Sequence, residues 1–189
     1  DHDKVELTNL QRQIVHTTES IGQDKAASAA RQLKALNPEI TVTAINRRLE
    51  GAELTEQVRA ADVVVDASDN FPTRFLLNAA CVREETPLVS GAVVRFEGQV
   101  AVFRADLPDS PCYRCLYHET SEPDEPCAEF GVLAPVAGIV GSIQAAETLK
   151  LLLGLGETLT GRVLLLDALA MEWRELRLRK DPHCPVCGP

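Results

Sequence analysis

The spacing of apolar positions changes period several times along the chain, and each change predicts an element. From Ile21 to Leu36, residues Ala26, Ala27, Ala29, Ala30, Leu33 and Leu36 recur on or near one face, predicting a helix that Asn37-Pro38 closes. Ile40 to Ile45 alternates apolar and polar, a strand signal, and Leu54 to Ala60 reads as a short helix. Asp62-Val-Val-Val-Asp66 is a compact apolar run, as expected of a central parallel strand covered on both faces. Ala67-Ser-Asp-Asn70 follows it, then a helix from Pro72 to Arg83 with proline near its first turn. Leu88-Val89 begins another strand, and Gly98 to Phe103 reads as one more. A helix from about Pro135 to Leu153 carries a narrow stripe of small residues, Gly138, Gly141 and Ala145, that permits close packing. Val163 to Asp167 and Glu172 to Leu178 complete the series as strands.

This β-α-β-α-β rhythm predicts an α/β fold with an open, doubly wound, Rossmann-like sheet, whose ligands gather at the carboxyl ends of the strands. Residues 106–131 interrupt it with Pro, Asp, Glu and Cys and no periodicity, the composition of a functional, metal-bound or disordered loop. With no repeat or linker, residues 1–189 read as a single domain.

Composition narrows the function classes. The 189 residues carry 19 Lys and Arg against 28 Asp and Glu, a net charge of −9, which argues against phosphate-neutralising contact with nucleic acid. The most apolar stretch, Val132 to Leu153, contains Pro135, Gln144, Glu147 and Lys150, which a bilayer would reject, so no membrane span is expected. The chain opens on Asp1 without a Met or a visible leader; a cytoplasmic location and a preceding N-terminal segment are therefore expected.

Four of the six cysteines form two pairs of equal spacing, Cys112-Tyr-Arg-Cys115 and Cys184-Pro-Val-Cys187. A disulfide framework suits small secreted chains, and a redox motif explains one such pair rather than two. Two knuckles supply four thiolates to a closed tetrahedral zinc site, which would staple the C-terminal tail to a loop far back in the chain as a stability device. Cys81, within Asn78-Ala-Ala-Cys-Val, reads as a buried small hydrophobe.

Other polar clusters offer chemistry with a plainer reading beside each. Asp69 follows the central strand, where a carboxylate suits Mg2+, although Asp69 or Asn70 could simply cap the helix at Pro72. Thr8, Asn9, Arg12 and Gln13 form a dense donor set, and Lys25 sits near a helix start that favours anions; a solvated turn is the alternative. Asp1 could be an exposed acid, or the acid that such folds set against a nucleotide ribose.

Taken in order, Asp1-His-Asp3 through Gln13, Gly22-Gln-Asp-Lys25, Asn37-Pro38, Asp66-x-x-Asp69-Asn70, Cys112-x-x-Cys115, the Cys127 and Gly131-Val132 phrase, Pro135-x-x-Gly138-x-x-Gly141-x-x-Gln144-Ala-x-Glu147, Trp173-Arg174 and Cys184-Pro-Val-Cys187-Gly188 resemble the ThiF/MoeB family. These are ubiquitin-activating-like (E1-like) adenylyltransferases serving sulfur carriers, and the resemblance covers essentially the whole chain. The family's opening strand, glycine-rich turn and helix would lie before Asp1.

The resemblance implies ATP-dependent adenylylation of the C-terminal Gly-Gly carboxylate of a ubiquitin-like sulfur carrier, of ThiS or MoaD type, for thiamin or molybdopterin biosynthesis. It implies that Arg12 and Lys25 neutralise phosphate, with Thr8, Asn9 and Gln13 as supporting donors. Asp69, beside Asn70, would hold Mg2+, Asp1 would bond the ribose, and the three charged groups at 12, 25 and 69 would converge. It further implies a structural zinc, a homodimer, a separate sulfur-donor protein, and Cys127 at the position where some members form a covalent intermediate, a spectator thiol being the alternative. Two other readings share parts of the pattern: a nicotinamide-dependent enzyme with a structural zinc, and a non-catalytic module that docks the carrier.

Overall fold

A computed structural model describes residues 1–118 and 131–188. It divides into two compact units, Asp1–Leu49 and Glu50–Pro189.

The first unit is built on turns and one helix. Two short 3-10 turns, Leu7–Asn9 and Thr18–Ser20, precede helix α1, Lys25–Leu36. Alanine supplies five of its twelve positions, a composition with high intrinsic helix propensity, and the helix ends at Asn37 before Pro38. The opening segment turns back on itself: Val5 N–H donates to the Gln23 carbonyl at 2.8 Å and Gly22 N–H to the Val5 carbonyl at 2.8 Å. Gly22 makes this possible with φ of +83°, a region in which a side chain is strained. Contrary to the alternation read at Ile40 to Ile45, no strand forms there. The segment takes part in no ladder, and period-two alternation needs a neighbour to become a strand.

The second unit holds a five-stranded sheet in the order β1-β2-β3-β4-β5: Val64–Asp66, Leu88–Val94, Glu97–Phe103, Arg162–Asp167 and Glu172–Arg177. The β1–β2 pair is parallel, with α3 (Phe71–Arg83) as its crossover, and the other three pairs are antiparallel. The sheet is therefore mixed, and the expected doubly wound parallel order is met only at β1–β2. For β2–β3 and β4–β5 the reason is local. Between Val94 and Glu97 the chain reverses in a tight turn with Arg95 at φ 54°, and between Asp167 and Glu172 in another with Met171 at φ 53°. Turns this short can join only antiparallel neighbours.

Helix α2 spans Gly51–Arg59, α4 spans Tyr113–Leu116 and α5 spans Ala134–Leu153. Helix α5 is long and apolar enough to cross a bilayer by length and composition, yet it lies on the sheet, where Val136 and Val140 pack with Val89, Val100, Val102 and Leu166. Gly98 lets it approach: a Cβ there would sit 2.7 Å from Val140 Cγ2. Gln144 and Glu147, which argued against a span in the sequence, are both buried and both bonded. Gln144 Nε2 donates to the carbonyls of Asp66 at 2.8 Å and Val89 at 3.3 Å, and Glu147 accepts from Leu159 N–H at 2.7 Å and pairs with Lys150. The helix ends at Gly154 in the left-handed region, φ 63°.

Candidate functional site

In the first unit, Asp1, Arg12, Gln13, His16, Lys25 and Ala29 line an open cleft of about 430 Å3. Two of these are cations, in a chain that is acidic overall. Lys25 is the first residue of α1, where the helix dipole also favours an anion. Its Nζ donates to Asp3 Oδ2 at 2.9 Å and its backbone N–H to the Asp3 carbonyl at 2.9 Å. That hydrogen bond holds the Asp3 carboxyl below its ordinary range. Arg12 Nη1 donates to the Thr8 carbonyl at 3.2 Å, which sets the guanidinium beside the turn. Gln13 Oε1 is buried and has no hydrogen-bond partner among the described residues. His16 is buried with Nδ1 3.0 Å from Ser28 Oγ; burial, then the charge of Lys25, lowers its pKa, so the ring stays neutral at pH 7.

Thr8 and Asn9 lie outside the residues that line this cleft. Asn9 is buried and its Oδ1 accepts from Glu6 N–H at 3.0 Å, while Thr8 Oγ1 donates to Glu6 Oε2 at 3.4 Å. Both thus build the turn that carries Arg12. Asp1 is exposed, its carboxylate accepting from Asp3 N–H at 2.9 Å.

Asp69 and Asn70 belong to the second unit. Asn70 takes the cap: its Oδ1 accepts from Thr73 N–H at 2.9 Å. Asp69 is exposed and accepts from Asn70 Nδ2 at 3.3 Å, so the capping role does not consume it. Asp66, buried at the end of β1, accepts from Ser68 N–H at 2.9 Å and shapes the turn.

The four paired cysteines come together, with all four Sγ atoms within 4.8 Å of one another. Cys112 and Cys184 sulfurs are 3.7 Å apart, and those of Cys115 and Cys187 are 3.4 Å apart. Tetrahedral zinc with bonds of about 2.3 Å sets its sulfurs about 3.8 Å apart, so the donor set fits that ion. Each knuckle is closed by its own backbone: Cys115 N–H donates to the Cys112 carbonyl and Gly188 N–H to the Cys184 carbonyl, both at 2.9 Å. A Cβ at Gly188 would lie 2.5 Å from the Cys184 carbonyl, so glycine is required there. Burial opposes ionisation of Cys184, but hydrogen bonds from the Cys187 and Val186 N–H groups outweigh it and bring the thiol down to about 7. Burial pushes Cys112 and Cys187 up, and places Cys81 at about 12, in keeping with an inert core thiol. Cys127 lies outside the described residues.

Two residues on α3 escaped the sequence reading. Arg74 is buried and donates twice to the Ser68 carbonyl, at 3.2 and 2.6 Å; Asn78, one turn on, is buried against the first knuckle. The available signal was polar types four apart within a mostly apolar helix, with the aromatic residues Phe71 and Phe75 flanking Arg74.

Residues 1–186 match the ThiF family. The chain is 50% identical over 190 residues to the SAMP-activating enzyme E1 of Haloferax volcanii, covering 100% of this chain and 69% of that protein. It is 49% identical over 191 residues to the sulfur carrier protein adenylyltransferase of Thermus thermophilus, covering 98% and 70%. With the molybdopterin-synthase adenylyltransferase of Escherichia coli it shares 43% identity over 188 residues, covering 100% and 75%. Among solved structures it resembles Escherichia coli MccB with a TM-score of 0.84 at 23% identity, a likeness of fold in which this chain spans 58% of MccB. With its length matched almost end to end, the chain belongs to the ThiF family of E1-like proteins.

Proposed function

We propose that this protein adenylylates the C-terminal carboxylate of a ubiquitin-like sulfur carrier. The observation that carries the reading is the cleft in which Arg12, Lys25, Gln13 and Asp1 meet, in a chain whose relatives are adenylyltransferases by name.

The chemistry sets a task that suits these residues. A C-terminal carboxyl has a pKa of about 3.5, so at neutral pH it is already the nucleophile and needs no general base. Its oxygen attacks the α-phosphorus of ATP, the bond to the bridging oxygen breaks, and pyrophosphate leaves. The obstacle is repulsion between an anion and a polyanion, so catalysis rests on positioning and charge neutralisation. Arg12 offers a planar fork to phosphate oxygens, Lys25 a point charge held ready by Asp3, and Gln13 an amide beside them. Asp1 bonds the ribose. Asp69 would hold Mg2+, which would supply positive charge against the phosphates. Thr8 and Asn9 support the turn, and Asn70 fixes the helix start next to Asp69.

Zinc at Cys112, Cys115, Cys184 and Cys187 supplies no reactive group in this reading; four thiolates leave it no open position. We place the protein in the cytoplasm as a homodimer that receives sulfur from a separate donor protein. Cys127 is the candidate for a covalent intermediate. The carrier is of ThiS or MoaD type.

Carrier-dependent exchange of labelled pyrophosphate into ATP tests the reading. Exchange is expected with a carrier ending in Gly-Gly and absent when that dipeptide is removed. Exchange that is indifferent to the carrier tail would overturn it.

A further inference from the structure

Asn78 lies in the interior of α3 and is 1% exposed. Asparagine is a poor helix-interior residue, and a buried amide is costly unless both its ends are bonded. Here both are. Its Oδ1 accepts from the Tyr113 N–H at 2.8 Å, and its Nδ2 donates to Cys112 Sγ at 3.6 Å. A backbone N–H can only donate, so Tyr113 fixes which end of the amide is oxygen and turns the NH2 end to the sulfur. The acceptor it faces is one of the four clustered thiols, 3.7 Å from its partner Cys184.

The same helix reaches the Asp69 turn at its other end. Four residues before Asn78, Arg74 clamps the Ser68 carbonyl with two hydrogen bonds, and Asn70 caps the first turn. Tyr113 anchors the knuckle side by packing its ring edge-on against Phe75 of α3 at 5.7 Å and Phe103 of β3 at 5.8 Å. Helix α3 is thus fastened to the turn 68–70 through Arg74 and Asn70, and to the cysteine cluster through Asn78.

We infer that Asn78 is a positioning residue that orients Cys112 toward a bound metal and, through α3, ties the metal site to the turn that carries Asp69. The inference rests on reading the four cysteines as a metal site. Hydrogen bonds to ligand atoms orient them and typically change metal affinity about 10- to 100-fold when removed. Asn78→Asp keeps an oxygen for the Tyr113 N–H but offers no N–H to the sulfur; Asn78→Ala removes both.

The test uses the metal-loaded protein. Cobalt(II) substitution is read by its sulfur-to-metal charge-transfer band, and zinc loss by release to a chromophoric chelator. Both variants are expected to release zinc about 10- to 100-fold faster than the wild type and to shift the cobalt band, with a fall in kcat larger than any rise in KM for ATP. Unchanged release and an unchanged band in both variants would overturn the inference, even if their melting temperatures fall, because Asn78 would then only pack. A wild-type protein that takes up neither metal would overturn the metal reading itself, and the inference with it. A second measurement needs no variant. Removing the metal from wild type is expected to speed hydrogen exchange at amides of residues 71–78 of α3 as well as at the knuckles; a change confined to 112–118 and 181–188 would refute the tie to α3.

Discussion

Lys25 is held at both ends by Asp3: its Nζ lies 2.9 Å from Asp3 Oδ2, and its backbone N–H donates to the Asp3 carbonyl at the same distance. The pairing fixes the position of the ammonium at the wall of the cleft. It also sets a pH dependence. Asp3 titrates below its ordinary value of 3.8 when folded, first because of the Lys25 hydrogen bond. The pair's contribution to stability is therefore fully present above about pH 4 to 5 and fades as pH falls through the lowered pKa. Melting curves of wild type and Asp3→Asn should be separated by a constant amount from pH 7 to about pH 5 and converge in stronger acid. A separation that grows on acidification would contradict this assignment.

Neighbouring residues at the end of β1 should part company. Asn70→Ala removes the cap on Thr73 N–H and should cost about 1 kcal/mol in denaturant unfolding. Asp69→Ala touches no cap and should leave stability within about 0.5 kcal/mol of wild type while abolishing Mg2+-dependent pyrophosphate exchange. Equal losses of stability in the two would refute the division of labour.

Gly91 sits under the Gln144 carboxamide, which a Cβ at that position would overlap. Gln144 is buried and bonds the Asp66 and Val89 carbonyls, joining β1 to β2 from the helix above. Gly91→Ala should displace the amide, leave those carbonyls short of a donor, and destabilise the protein by about 2 kcal/mol. A Gly91→Ala, Gln144→Ala double variant should recover part of the loss.

Removing metal should loosen the tail. Beyond β5, the tail's contacts with α4 and the loop before it include the cysteine cluster, Lys180 Nζ on the Pro108 carbonyl at 2.6 Å and Asp181 N–H on Cys115 Sγ at 3.4 Å. Trypsin should cut at Arg179 and Lys180 much faster after chelation, and Cys184→Ser should cut at that rate without chelator. Cleavage indifferent to chelator would argue against the metal reading.

The parts of this structure legible in the sequence are those where one local signal decides. Asn37-Pro38 ended α1, Pro72 and Pro135 marked the starts of α3 and α5 within a residue, and the equal Cys-x-x-Cys spacings foretold a cluster. Sheet pairing was not legible in the same way. Glu97–Phe103 and Arg162–Asp167 read equally well as members of an all-parallel sheet; the tight turns at Arg95 and Met171 reverse β2–β3 and β4–β5, while the antiparallel β3–β4 pairing has no such local signal. Ile40 to Ile45 alternated correctly but found no partner. Among the candidate residues, charge and spacing drew notice to Arg12, Lys25 and Asp69 but left a plain surface reading open for each, and only the family resemblance gave them roles. Asn78 and Arg74 went unseen, because their roles depend on the Tyr113 backbone and the Ser68 carbonyl, which a side-chain pattern does not encode.

The central claim is that fixed positive charge in the Arg12–Lys25 cleft lets a carboxylate approach a nucleotide's phosphates. It is tested most directly by the rate of carrier-dependent pyrophosphate exchange in Lys25→Ala and Arg12→Ala at saturating ATP. The account predicts a fall of about 100-fold or more in each, as for other preorganised charge contacts, with folding intact by circular dichroism. Folded variants that exchange at the wild-type rate would contradict it.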